Sequence, residues 1–90
     1  MKVTNLEVSQ HGWLGEMIHA EVESSVILKF YWSNITGDDD LVVTFKSGAR
    51  YRYHNVPILV FIQLISSDSV GETFNKIVRN NYEYYLVPAN

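Results

Sequence analysis

LVVTFKSGARYRYHNVP, residues 41–57, holds two alternating runs on either side of a glycine. Leu41, Val43 and Phe45 alternate with Val42, Thr44 and Lys46. Ala49, Tyr51 and Tyr53 alternate with Arg50, Arg52 and His54. A period of two in β-branched and aromatic residues argues for strands. Turn length sets which faces meet. A two-residue turn at Ser47-Gly48 opposes Phe45 to Arg50 and Val43 to Arg52, mixing apolar and basic groups on one face. A three-residue loop, Lys46-Ser47-Gly48, opposes Phe45 to Ala49, Val43 to Tyr51 and Leu41 to Tyr53. It also puts Gly48 where φ must be positive. The second register is preferred, because a slip of one residue would turn the apolar set away from the core. The hairpin then has an apolar face of Leu41, Val43, Phe45, Ala49, Tyr51 and Tyr53. Its other face, Val42, Thr44, Arg50, Arg52 and His54, is half polar and basic.

Upstream, the run from Val26 to Trp32 is short and rich in strand formers. Strict alternation puts Val26, Leu28, Phe30 and Trp32 on one face, with Ile27, Lys29 and Tyr31 on the other. Residues 33–40, SNITGDDD, read as a polar, solvated turn. Three strands, 26–32, 41–46 and 49–55, make an antiparallel meander whose apolar face needs a cover.

Downstream residues supply that cover. Pro57 suits the first position of a helix. Residues 58–65 are apolar nearly all round, with Gln63 the polar exception, and are expected to be mostly buried. Ser69-Val70-Gly71-Glu72 matches a capping box at the start of a second helix. Val70, Phe74, Ile77 and Val78 form its buried stripe, leaving Lys76, Arg79 and Asn80 toward solvent. Residues 84–87 read as a closing strand or an extended tail. Near the N-terminus, Val3, Leu6 and Val8 suggest a strand or arm. Two readings compete for residues 13–22: a short helix or turn on Leu14, Met17, Ile18 and Val22, or a strand from Met17 to Val22. Gly12 and Gly15 weaken a helix start, yet the helical spacing tips the balance to a helix or turn.

The expected fold is therefore α+β. A small antiparallel sheet, a meander of three or more strands, is covered by two C-terminal helices. Residues 1–23 form an N-terminal extension of the same fold, and 24–87 the main unit. Ninety residues, 47% hydrophobic and 13% aromatic, suffice for one cored domain. The absence of cysteine removes disulfides, thiol catalysis and thiolate metal sites together. No apolar run resembles a signal peptide or a membrane span, so the expected compartment is cytoplasmic. Asn34-Ile35-Thr36 spells a glycosylation triplet, read as chance in that setting. Charge is uneven. Residues 1–40 carry two basic against seven acidic side chains, a net of −5, and residues 41–90 carry five against three, a net of +2. The whole chain is not a strong polyanion binder, but its second half can present a basic surface.

Two motifs, taken together, resemble the KTSC domain. The first is L-x-V-x-F-x-x-G-x-x-Y-x-Y-x-x-V-P, here Leu41, Val43, Phe45, Gly48, Tyr51, Tyr53, Val56 and Pro57. The second runs through Ser67, Ser69, Gly71, Phe74, Asn75, Ile77 and Tyr82. The resemblance covers about residues 24–85; the first 23 residues lie outside it, and the 33–40 loop is longer and more acidic than the family pattern. It implies a small bacterial or phage protein of a family that also occurs as a C-terminal appendage of some lysyl-tRNA synthetases. That fusion context implies RNA or tRNA as a partner, an association and not a mechanism.

The candidate site residues follow. Lys46, Arg50, Arg52, His54, Lys76 and Arg79 are candidates for phosphate contact, weighed against an ordinary solvated face, which is the commoner case. Tyr51 and Tyr53 could stack on bases, but they share a face with Leu41, Val43 and Phe45, which favours core packing. Ser67 and Ser69 stand near a helix start that can bind an anion, though capping alone accounts for Ser69. His11, His19 and His54 lack metal-ligand spacing, and Asp38-Asp39-Asp40 lacks the alternating ligands of a calcium loop. No metal, cofactor or catalytic constellation is expected. The leading reading is a non-enzymatic binding module for RNA through the basic hairpin face. Its rivals are a protein-interaction module, such as a phage-type factor acting on a host protein through the acidic first half and an exposed Trp13 or Trp32, and a small-nucleotide binder at Ser69. The RNA reading expects Arg50→Glu with Arg52→Glu to abolish binding without unfolding.

Overall fold

The computed structural model describes residues 3–10, 12–35 and 37–88. His11 and Thr36 of the glycosylation triplet lie outside the described residues. Six strands form one antiparallel sheet in chain order: β1 (Val3–Gln10), β2 (Glu16–Val22), β3 (Ile27–Ser33), β4 (Asp40–Phe45), β5 (Arg50–Tyr53) and β6 (Tyr84–Leu86). Two helices, α1 (Ile58–Ser66) and α2 (Val70–Ile77), are inserted between β5 and β6. They cover one face of the sheet and leave the other open.

The central hairpin takes the register of the three-residue loop. Leu41 opposes Tyr53 and Val43 opposes Tyr51. Phe45 N donates to Ala49 O at 2.9 Å and Gly48 N to Phe45 O at 2.9 Å. Gly48 has φ +97°, a conformation that L side chains rarely adopt.

Residues 16–22 form strand β2, which corrects the expected helix; only a single 3-10 turn, Gly12–Leu14, precedes it. The reason is the partner strand. Ile18 opposes Trp32 and Ala20 opposes Phe30, so Ile18, Ala20 and Val22 alternate toward the core. A helix there would leave the ladder groups of β3 unpaired on that side. Gly15 makes the entry into β2 possible. Its φ is +132°, and an added Cβ would collide with Asn34 Oδ1, which accepts a hydrogen bond from Glu16 N at 2.8 Å.

Strand β3 departs from strict alternation. A bulge between Ile27 and Lys29 shifts its register on β4. Ile27 is therefore fully buried alongside Phe30 and Trp32, whereas Val26 and Leu28 are exposed. One extra residue in a strand reverses the facing of everything before it. Ser24 supports the bend, its Oγ accepting from Val26 N and Ile27 N, each at 3.3 Å.

Phe30, Trp32, Leu41, Val43 and Tyr53 of the sheet pack on Phe61, Leu64, Ile65, Val70, Phe74 and Val78 of the helical layer. Phe74 is central, with ring centroids 5.6–6.4 Å from Tyr53, Phe45 and Phe30. Trp32 is buried, stacks on Phe61, and donates Nε1–H to Val56 O at 2.9 Å. Of the two tryptophans only Trp13 is exposed, at 93%. Helix α1 is less buried than its composition suggests: Phe61, Leu64 and Ile65 face the core, but Leu59 is 71% exposed and Ile62 is also exposed. A helix lying on a sheet has only one inward stripe. Pro57 stands one position earlier than expected, as the N-cap of α1 with extended ψ of 148°. Ser69 is the N-cap of α2 but makes no side-chain cap bond. Ser67 takes that local role, its Oγ accepting from Ser69 N at 3.1 Å and bonding to Thr73 Oγ1.

Among the described residues no helix is long and apolar enough to cross a membrane.

Candidate nucleic-acid interface

Alternation in the central strands puts one basic and aromatic set on the open face. Cross-strand pairing lines these residues up in two adjacent rows. One row runs Glu21–Lys29–Thr44–Arg50; the next runs His19–Tyr31–Val42–Arg52–Tyr85. Strands stand about 4.8 Å apart, so the Lys29 and Arg50 backbones are about 10 Å apart, a distance their long side chains span with ease. His19, Lys29, Tyr31, Val42, Thr44, Arg50, Arg52 and Val87 line a shallow groove of 370 Å³. No carboxylate is among these lining residues. The His19 ring meets Tyr31 edge to face at 4.6 Å. Val87 N donates to Arg50 O at 2.8 Å, so the chain after β6 forms one wall.

Beyond the groove the sign of the charge reverses. The neighbouring hollow between β1, β2 and β3 is lined by Asn5, Glu7, His19, Ala20, Glu21 and Lys29. The basic strip is thus bounded on the β1 side by two glutamates.

Two of the expected cations are engaged. Asp40, 6% exposed, sits opposite Ser33 at the start of β4. Arg52 Nη1 donates to Asp40 Oδ2 at 2.9 Å, and His54 Nδ1 meets Asp40 Oδ1 at 3.1 Å. Since an ionised carboxylate only accepts, His54 carries its proton on Nδ1 when neutral. This corrects the solvated-turn reading for Asp40, though Asp38 remains exposed. The triad welds the start of β4 to the end of β5 and holds Arg52 along the groove floor. Lys29 and Arg50 have no ion-pair partner among the described residues.

A family model of the KTSC domain matches residues 23–82. The chain belongs to the KTSC domain family. An uncharacterized protein from Stutzerimonas stutzeri (strain A1501) is 42% identical over 48 residues, 52% of this chain and 68% of that protein. A crystal structure of a KTSC domain protein from Yersinia pestis matches with a TM-score of 0.73 at 22% identity, over 80% of this chain and 99% of that one. At that identity the likeness is one of fold. Strands β1 and β2 precede the KTSC match, and β6 follows it. The groove is therefore built mostly from KTSC strands β3, β4 and β5, with His19 and Val87 added from outside the match.

The KTSC hairpin does not gather all the expected site residues. Lys46 stands at the hairpin tip, beside Ser25, Val26, Phe45 and Ser47, away from the groove. Lys76 and Arg79 belong to the helical layer on the opposite side of the sheet, where Arg79 lines a pocket with Tyr51 and Tyr53. Those two tyrosines face the helices: Tyr53 is buried and Tyr51 half-buried. Burial raises the pKa of the Tyr53 hydroxyl; Tyr84 and Tyr51 add to the shift and Arg79 opposes it. Ser67 and Ser69 stand at the start of α2. The hollow there is lined by Glu23, Asp68 and Glu72 as well as Ser24, Ser25 and Ser69. Three carboxylates around a helix start repel an anion more strongly than the helix dipole attracts one. Among the described residues there is no cluster of potential metal ligands.

Lys29, Tyr31 and His19 were not among the expected site residues. Lys29 and Tyr31 were recoverable from alternation, since they sit opposite Phe30 and Trp32. What sequence lacks is strand order, which brings β3 beside β4 on the open face.

Proposed function

We propose that this KTSC chain is a non-enzymatic module that binds RNA on the open face of its sheet. The carrying observation is the groove in which Lys29, Arg50 and Arg52 flank Tyr31 and His19, with no carboxylate among the lining residues and Asp40 paired to Arg52 at its end. Aromatic rings on an open sheet offer stacking surfaces to unpaired bases, and cations beside them meet the backbone. Arg52 is held by Asp40 at 2.9 Å and presents its remaining donors at a reduced ordering cost. Lys29 and Arg50 supply the mobile charge. Three phosphate contacts give a salt slope of roughly −2 on a log-log plot for a single strand. Binding is therefore weak and nonspecific in strength, with Kd on the order of 10⁻⁴–10⁻⁶ M. The expected compartment is the cytoplasm, where RNA is available.

The test is fluorescence anisotropy with labelled single-stranded RNA and tRNA at low and at physiological salt, on the parent chain and on Lys29→Glu/Arg50→Glu. Arg52 is left intact, because Arg52→Glu would set a second carboxylate against Asp40 and confound binding with folding. Binding that weakens with salt and is lost in the double variant supports the reading.

A second reading draws on a different surface. Trp13 is 93% exposed beside exposed Leu14, and β1 is an edge strand with Leu6 and Val8 exposed. An open edge with apolar side chains is a template for a partner strand. A protein-interaction module, such as a factor acting on a host or bacterial protein, would use this end of the sheet. The absence of RNA binding, with a partner lost on Trp13→Ser, would favour it.

A further inference from the structure

The helix-covered side of the KTSC hairpin holds a second site, separated from the groove by the thickness of β5. Phe45, Ser47, Ala49, Tyr51, Tyr53, Phe74, Arg79 and Tyr84 line an open pocket of 290 Å³. Five of these residues are aromatic. Their rings are mutually braced: Tyr51 and Tyr84 meet edge to face at 5.8 Å, Tyr53 and Tyr84 tilt together at 5.2 Å, and Phe45 stands against both Tyr51 and Phe74 at 5.9 Å. Such a wall is largely preformed, so a ligand meets little ordering cost.

Among the described residues Arg79 is the only charged side chain lining the pocket. It sits just past the end of α2, where Arg79 N donates to Phe74 O at 3.0 Å. Its guanidinium makes one long contact, 3.5 Å to Asn75 Oδ1, and no ion pair among the described residues. The positive field of Arg79 also reaches the Tyr53 hydroxyl, which it draws toward ionisation against the effect of burial. At neutral pH that hydroxyl is still a phenol and can donate. Ser47 at the rim adds a second hydroxyl.

We propose that this pocket binds a small aromatic anion: a single ring carrying a carboxylate or phosphate, its face or edge against Tyr51, Tyr53 and Tyr84 and its charged group on Arg79. The aromatic walls select a ring, and the guanidinium of Arg79 selects an anion. Arg is suited to both kinds of oxyanion through its planar fork of donors. The site is distinct from the RNA groove: Arg50 and Arg52 point to one side of β5, and Tyr51 and Tyr53 to the other.

The test is a ¹H–¹⁵N NMR titration of the full chain with four probes: benzoate, phenyl phosphate, uncharged benzamide and acetate. Saturable shifts at Ala49, Tyr51, Arg79 and Tyr84 are expected with benzoate or phenyl phosphate, and the stronger of the two identifies the oxyanion. Benzamide and acetate, each lacking one element of recognition, bind about tenfold more weakly or worse. Arg79→Gln, at an exposed position, keeps the parent melting temperature and removes the preference for benzoate over benzamide. Lys29→Glu/Arg50→Glu leaves all four titrations unchanged. Absence of shifts at these amides with either aromatic anion, or equal affinity for benzamide, or an unaltered preference in Arg79→Gln, overturns the proposal.

Discussion

Asp40 and Arg52 meet across the β4–β5 ladder, Oδ2 to Nη1, at 2.9 Å, with the carboxylate buried and the guanidinium partly open to solvent. His54 closes on the other carboxylate oxygen at 3.1 Å. The basic face is thus tied by an acid at one end. Asp40→Ala removes the acceptor and leaves Arg52 and His54 facing each other. A loss of about 1–3 kcal/mol is expected, which lowers the melting temperature by roughly 4–8 °C per kcal/mol in a domain of this size. Arg52→Glu should destabilise at least as much, and Arg50→Glu hardly at all. Thermal melts of the three variants by circular dichroism check the order.

Two of the glycines at positive φ, Gly15 and Gly48, separate backbone strain from collision. Gly48→Ala meets open space but must hold φ near +97°, at a cost of about 1–2 kcal/mol. Gly15→Ala faces a similar conformation and a collision with Asn34 Oδ1, the atom that accepts from Glu16 N. It should cost more than Gly48→Ala in urea unfolding. Equal costs would mean that the β2 entry relaxes freely.

These turns mark what sequence could and could not reveal. Gly48 made the hairpin legible, because only one loop length keeps Phe45, Tyr51 and Tyr53 together and also puts glycine at positive φ. Strand β2 was ambiguous because Leu14, Met17, Ile18 and Val22 satisfy helical spacing, whereas the deciding contacts, Ile18 with Trp32 and Ala20 with Phe30, are cross-strand. Strict alternation puts Ile27 on the wrong face, because a bulge carries no composition signal. In the candidate site, Arg50 and Arg52 followed from alternation. Asp40 did not, since three aspartates in a loop read as solvated and only tertiary pairing buries the last of them. Arg79 joined the wrong group because the second helix lies across the sheet from the basic face.

The two tryptophans should behave as opposites. Trp32→Phe loses the Nε1 bond to Val56 O and part of the stack on Phe61, for about 1–3 kcal/mol. Trp13→Ser, at an exposed site, should fall within about 0.5 kcal/mol of the parent. Its removal should also strip the red-shifted part of the fluorescence spectrum. A stability loss in Trp13→Ser would point to a partner copy covering that surface.

Tyr53 gives the fold an alkaline limit. Its pKa is raised in the folded state, first by burial and then by Tyr84. The folded state therefore holds the phenolic proton more tightly than the unfolded chain does. This contribution is intact below the unfolded tyrosine pKa of about 10. It is lost as pH rises from there through the raised folded value. Tyr53→Phe should flatten the fall in stability above that pH. Absorbance titration checks this: the late-ionising Tyr53 phenol of the parent should be missing from the variant.

RNA binding by the open face is decided by fluorescence anisotropy of the parent chain against Lys29→Glu/Arg50→Glu, read at two salt concentrations with melting curves alongside. Saturable parental binding is expected, with a salt slope of roughly −2. In the double variant, binding should vanish while the melting temperature stays within a few degrees of the parent, about 0.5 kcal/mol in stability. Absence of parental binding at low salt, or undiminished binding in a folded double variant, would contradict an RNA-binding role for the open face.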